Sequence, residues 1–281
     1  MKVNGKLIVY GTKNNTHLSS IRSISQVKNE ISLSLNNRYK LESIKEYSQQ
    51  YKLTYVKYKK VNSEYDSIHK WSFGIITNGK NNQKVKNLIK SIELQAIPNY
   101  EIIICGPQID CKSKNVKFID DVIIENDIRP PISHKKNIII SKSNFENIVI
   151  LHDRYFIPQS WYENMINYGN YFDLLSMPNL DKDNRRVNDW TFFPSLPFQN
   201  KLKFNPLKKY NYWSNYWFVQ GGVIIGKKNI LTENPISEKL YWGELEDVTF
   251  SQRLNLNGYF YYFDKKNYLI TDSDRIRGVK D

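Results

Sequence analysis

The sequence predicts an α/β fold in which helices flank a mostly parallel central sheet, with a small α/β appendage ahead of it. Three observations carry this. From Ser72 onward, apolar runs alternate with a helical pattern at the close spacing of strand–helix–strand units, which makes successive strands parallel. Ahead of Trp71 the pattern differs and ends in the polar stretch Lys59 to Lys70. The chain has 281 residues, 40% of them apolar and rich in Tyr, Phe and Trp, enough to bury a sizeable core and too many for a disordered chain.

Taken in order, Lys6 to Tyr10 reads as a short strand. Leu18, Ile21, Ile24, Val27, Ile31 and Leu35 fall at helical spacing, so a helix is expected over Leu18 to Leu35. A second helix is expected from Leu41 to Tyr51, then a strand from Leu53 to Tyr58. A boundary near Trp71 leaves residues 1–70 as the appendage and 71–281 as the main domain. There the expected strands are Phe73 to Thr77, Glu101 to Cys105, Val116 to Ile119 and Ile148 to Leu151, neighbours in one sheet. A helix over Gln83 to Gln95 turns Val85, Leu88, Ile89 and Ile92 to one side, and Pro98 closes it. Open sheets of this kind bind ligands beyond the carboxyl ends of their strands. Thr77, Asn78, Cys105, Gly106, His152, Asp153 and Arg154 should therefore border one crevice. Beyond Asp173 the regularity fades into an aromatic, Pro-broken region.

Composition sets further bounds. No apolar run approaches the roughly eighteen residues of a membrane helix, and Met1 to Gly11 is too weakly apolar for a signal peptide, so a cytoplasmic protein is expected. Two cysteines, Cys105 and Cys111, make neither a disulfide framework nor a zinc set. The formal charge of +13 suits an anionic partner, whether nucleic acid, an acidic membrane face or a phosphorylated substrate. Lys is nevertheless spread along the whole chain, and a composition bias that solvates the surface explains it better than a dedicated binding patch. Thr77-Asn78-Gly79-Lys80 lacks the earlier glycine and the following Ser or Thr of a phosphate loop, which disfavours an NTPase.

The motifs, taken in sequence order, are more informative than any one of them. Phe73 to Asn78, an amphipathic helix, Tyr100 to Ile104, Lys135-Lys136-Asn137, Ile148 to Arg154, Gly221-Gly222, and Glu246-Asp247 followed by Arg253-Leu254 together resemble the GT-A glycosyltransferases, a Rossmann-like fold, and most of all the bacterial family 2 group. The resemblance covers residues 71–263. It implies an inverting transfer of a sugar from a nucleotide-diphosphate sugar, by default a UDP-sugar, to an acceptor hydroxyl. Bacterial surface polysaccharide or glycolipid synthesis is the implied setting, with a glycan or glycolipid acceptor and peripheral contact with the anionic inner membrane face. The donor half would span about residues 71–180 and the acceptor half about 181–281.

The resemblance also assigns residues. A diphosphate must be neutralised as the sugar leaves. In the family an Asp-any-Asp sequence at the end of the fourth strand holds a divalent ion against it. Here those positions are His152, Asp153 and Arg154. Two schemes follow: Asp153 with His152 holds Mg or Mn, or Arg154 with Lys135 and Lys136 supplies the positive charge directly. Lys135, Lys136 and Asn137, at a helix start, suit a phosphate. Thr77 and Asn78 complete the donor side, and Gly221 and Gly222 let backbone approach the donor sugar. Inversion needs a base to take the acceptor proton. The match makes Asp247 that base, with Glu246 orienting the site, although acidic residues in a first helical turn also suit the helix dipole. Trp242, Glu244, Trp190 and Arg186 are assigned to the acceptor. Two other classes stay open: a sugar nucleotidyltransferase, and a basic, non-catalytic nucleic-acid binder, whose groove the acidic residues Glu244 to Asp247 would spoil.

Overall fold

A computed structural model of the chain describes residues 5–12, 39–57, 65–119, 130–187 apart from 171, 189, 191–192, 207, 209–210, 217–218, 220–257 apart from 242, 259 and 261–272, together with 24, 27, 28 and 31. Two compact units emerge: Met1–Asn62 with Leu254–Phe260, and Ser63–Arg253 with Tyr261–Asp281.

In the smaller unit β1 (Lys6–Thr12), β2 (Tyr39–Glu46) and β3 (Gln50–Lys57) form an antiparallel sheet in the order β1-β3-β2. Central strand β3 buries Tyr51, Leu53 and Tyr55, alternate residues that share one face of the pleat. Ile24, Val27 and Ile31, which are helical, pack on that face; the rest of the helix expected over Leu18 to Leu35 lies outside the described residues. The helix expected over Leu41 to Tyr51 is instead β2, a tight turn closed by Tyr47 N donating to Gln50 O, and the start of β3. A bulge explains the misreading. Leu41 pairs with Tyr55 and Ile44 with Leu53, and the register shift between Leu41 and Ser43 puts two residues three apart on the same face. That spacing imitates a helix.

The larger unit is built on a seven-stranded sheet. In chain order its first elements are β4 (Lys70–Ile76), α1 (Asn82–Glu93), β5 (Asn99–Cys105), β6 (Val116–Ile119), α2 (Ile132–Lys142), β7 (Asn147–His152), β8 (Tyr155–Phe156), α3 (Trp161–Tyr168), β9 (Leu174–Ser176) and β10 (Asn179–Leu180). After these come β11 (Thr191–Phe192), β12 (Trp217–Phe218), β13 (Val223–Lys227), α4 (Lys228–Glu233), α5 (Glu246–Leu256), β14 (Tyr261–Phe263) and β15 (Leu269–Thr271). The sheet order is β14-β9-β13-β7-β4-β5-β6, and only β13 runs against the others. The four strands expected from the sequence are neighbours and parallel, so the fold is α/β with a mostly parallel central sheet flanked by helices.

Strand β4 is buried on both faces, which is why it reads as a nearly unbroken apolar run. Helix α1 starts where the Asn81 side chain accepts from Lys84 N, and it lays Val85, Leu88, Ile89 and Ile92 on the sheet. Trp71, Phe73, Trp161 and Phe172 form an aromatic knot, with Trp71 and Trp161 edge to face at 5.0 Å. At the opposite end of the sheet from the crevice, the ammonium of buried Lys227 donates to Asp66, Asn147 and Asn170 and lies over the Phe172 ring. This buried charge is paired and fully hydrogen-bonded, as its burial requires.

Candidate functional site

The chain leaves β4 toward β5 on one side, while β7 lies on the other. The carboxyl ends of β4 and β7 therefore form a switch point, where loops diverge and leave a crevice. A cleft of about 320 Å³ opens there, lined by Ile76, Thr77, Asn78, Pro130, Ile132, Lys135, His152, Asp153 and Arg154. Six of these are residues singled out from the sequence. Thr77 Oγ1 donates to Asp153 Oδ2 at 2.8 Å, and Asp153 N donates to Ile76 O at 3.2 Å, so the two strand ends are tied together. Lys135 reaches in from α2 and donates to Thr77 O at 3.1 Å. Cys105 is buried beneath Thr77, whose N donates to its carbonyl, and neither Cys105 nor Gly106 lines the cleft.

A second tier joins the strand end to the acidic pair. His152 N donates to Gly222 O at 3.1 Å, and Gly221 N donates to Asp247 Oδ2 at 2.9 Å. The other oxygen of Asp247 accepts from Val248 N at 2.8 Å, at the start of α5. Lys136, 1% exposed, brings Nζ to 3.8 Å from Glu246 Oε1. The two glycines make this packing possible. A Cβ on Gly221 would lie 2.8 Å from Glu246 Oε1 and 2.9 Å from Lys136 Nζ, and one on Gly222 would lie 3.0 Å from a terminal nitrogen of Arg154.

Burial disfavours the charged forms of both members of the pair. It raises the Glu246 carboxyl above its usual range, helped by the neighbouring Asp247 charge and opposed by Lys136. It lowers the Lys136 ammonium, which the charges of Glu246 and Asp247 partly restore. The His152 imidazole is driven well below its ordinary value by desolvation, then by Lys136 and Arg154, so the ring is neutral. Its Nε2 is enclosed and has no hydrogen-bond partner among the described residues, as is also true of Arg154 Nε.

Lys136, Gly221, Gly222, Glu246 and Asp247, expected at the same cleft, form this second tier and do not line the cleft itself; the other expected residues stand farther from it or are committed elsewhere. Asn137 does not line the cleft: its amide donates to Ile236 O and Glu238 Oε1 and accepts from Ile236 N, because it faces the segment after α4. Arg186 is buried in an ion pair with Asp189 at 2.7 Å and stacks 4.0 Å from the centre of the Tyr210 ring. It is thus committed to packing and does not border the cleft. Glu244 closes its own turn by accepting from Tyr241 N. Trp190 and Trp242 lie outside the described residues.

Three residues of the motif stretches have a site-building role that the sequence does not reveal. Ser133 Oγ donates to Leu240 O, His134 pairs with Glu238, and Arg253 donates to Pro235 O. Together with Asn137 they bolt α2 and α5 to residues 235–240, the segment that leads into Glu246. Their partners lie up to 107 residues apart, so no local pattern could reveal them.

The described residues do not suit a divalent ion. Among them no three His, Cys, Asp or Glu side chains come together as a ligand set. Asp153 has one oxygen taken by Thr77, and His152 stands in the field of two cations close enough to depress its own protonation. The same field repels a metal.

No protein-family model matches the sequence, and no curated protein does. Among solved structures, the chain is similar to TarS of S. aureus at 14% identity and a TM-score of 0.49, over 73% of this chain and 37% of that one. TarS 1-349 in complex with UDP-GlcNAc aligns at 17% identity and a TM-score of 0.48, over 74% of this chain and 60% of that one. A mannosyltransferase of Pyrobaculum calidifontis, in complex with GDP-Man and Mn2+, aligns at 10% identity and a TM-score of 0.47, over 73% and 58%. The chain thus spans less than two thirds of the length of these proteins. The chemistry of the cleft rests on its own residues.

Proposed function

We propose that the chain is an inverting glycosyltransferase that moves a sugar from a nucleotide-diphosphate sugar, by default a UDP-sugar, to an acceptor hydroxyl. One observation carries the reading. A continuous hydrogen-bonded tier runs from Thr77 and Asp153 at the cleft, through His152, Gly222 and Gly221, to Asp247. A strand end fit to hold a diphosphate and an acid fit to take a proton are thereby fixed to one another.

In this reading the diphosphate lies in the cleft against Lys135 and Arg154. Asp247, half-buried and held by two backbone N–H groups, takes the acceptor proton as the acceptor oxygen attacks the anomeric carbon. The bond from that carbon to the diphosphate oxygen breaks on the opposite face, and the nucleoside diphosphate leaves with the electron pair. Buried Glu246, with Lys136 beside it, sets the height of α5 over the Gly221-Gly222 turn. A glycan or glycolipid acceptor, and contact of the +13 surface with an anionic membrane, complete the proposal.

The test is turnover across a panel of sugar nucleotides selected by thermal shift. With the active donor, Asp247→Asn is expected to leave donor binding nearly intact and to lower turnover about 100-fold or more. Unchanged turnover removes Asp247 from the reaction, and no transfer from any nucleotide sugar removes the reading.

A further inference from the structure

We infer that the cleft grips its diphosphate without a divalent metal, through the guanidinium of Arg154 and the ammonium of Lys135. The inference rests on the transferase reading for its ligand class, but its observations are separate. Where the resemblance calls for carboxylates around an ion, the structure places two cations and one carboxylate on the cleft wall: Lys135, Arg154 and Asp153. The carboxylate is engaged by Thr77. Arg154 is steadied over the Tyr155 ring at 5.6 Å and by a hydrogen bond to the Tyr155 hydroxyl, while its enclosed Nε has no partner among the described residues. A buried N–H without a partner is costly, and an oxyanion would satisfy it. Lys135 is held at the cleft wall by its hydrogen bond to Thr77 O, with its positive charge facing the same space as Arg154.

The wall thus offers cationic donors for the diphosphate. Charge-assisted Arg–phosphate bonds supply what an ion would otherwise provide.

The experiment is calorimetric titration of the full chain with inorganic pyrophosphate, in EDTA and again with Mn. Expected are equal affinities within about 3-fold in the two conditions, and a loss of about 10-fold to 100-fold in Arg154→Gln, the worth of a hydrogen bond to a charged group. Asp153→Asn should bind as well as the parent chain or better. Binding that appears only with Mn, unchanged binding by R154Q, or no binding in either condition overturns the inference. The comparison of EDTA with Mn needs no variant, so a misfolded R154Q leaves the test standing. Sugar transfer measured alongside separates the two readings. Metal-free pyrophosphate binding with no transfer from any nucleotide sugar would sink the transferase and keep the site, whereas transfer found only with Mn would keep the transferase and sink the site.

Discussion

Gly221 is the residue at which the site tolerates least. Its Cα faces Lys136 Nζ, Glu246 Oε1 and the Asp247 Cβ, and its N–H holds the Asp247 carboxylate. In Gly221→Ala the added methyl would meet two side-chain ends at under 3.0 Å. Both are tips of flexible chains, so the fold survives by moving them. That movement displaces the acidic pair from its place over the turn. Turnover is expected to fall about 100-fold, the order of loss for a misplacement of roughly 1 Å, while the melting temperature falls only slightly. Gly222→Ala presses on Arg154 and Tyr155 instead, so it should weaken pyrophosphate binding more than it affects the proton transfer. Steady-state kinetics on the two variants, with KM and kcat read separately, check the division. Equal effects of both substitutions on both constants would refute it.

Helices α2 and α5 meet through a segment belonging to neither, residues 235–240, gripped by Ser133, His134, Asn137 and Arg253. Asn137→Ala strips Ile236 of both its amide partners and Glu238 of one. A cost of about 1–3 kcal/mol is expected, read as a lower melting temperature, with the KM for donor unchanged. A raised donor KM at unaltered stability would instead return Asn137 to the donor site. Element by element, legibility follows the range of the interactions. The strands of the parallel sheet and helix α1 are written in local periodicity, and so is the crevice, because the carboxyl ends of parallel strands are a fixed place. Leu41 to Tyr51 was misread because a bulge turns a period of two into a spacing of three. Lys135 and Lys136 were legible as basic residues near the site. That one enters the cleft while the other stands beneath Gly221 is a matter of helix rotation against two distant segments. Arg186 is assigned to the acceptor from the sequence, and that Asp189 and Tyr210 enclose it is visible only in the fold.

At the scale of the larger unit, a few ionisable groups are buried at a cost, and they shape its response to acid. His152 titrates in the unfolded chain near the ordinary imidazole value of about 6.5 and in the native protein well below it. Between those limits the unfolded state binds more protons, so stability is lost as pH falls below about 6.5, with a slope of at most about 1.4 kcal/mol per pH unit for one proton. Glu246 acts in the opposite sense. Its carboxyl is raised above the usual carboxylate range, so in its own window the native state holds the extra proton and stability increases as pH falls. The contribution of His152 is therefore a loss of stability as pH falls below about 6.5, which Glu246 opposes. Urea unfolding followed by Trp fluorescence from pH 7.5 downward checks it. His152→Gln, neutral throughout, should flatten the decline, and Glu246→Gln should steepen it by removing the opposing group. A decline equally steep in His152→Gln would mean that the buried imidazole is not what ties the fold to pH, and that the cation cluster around it is held apart by something other than the ring's neutrality.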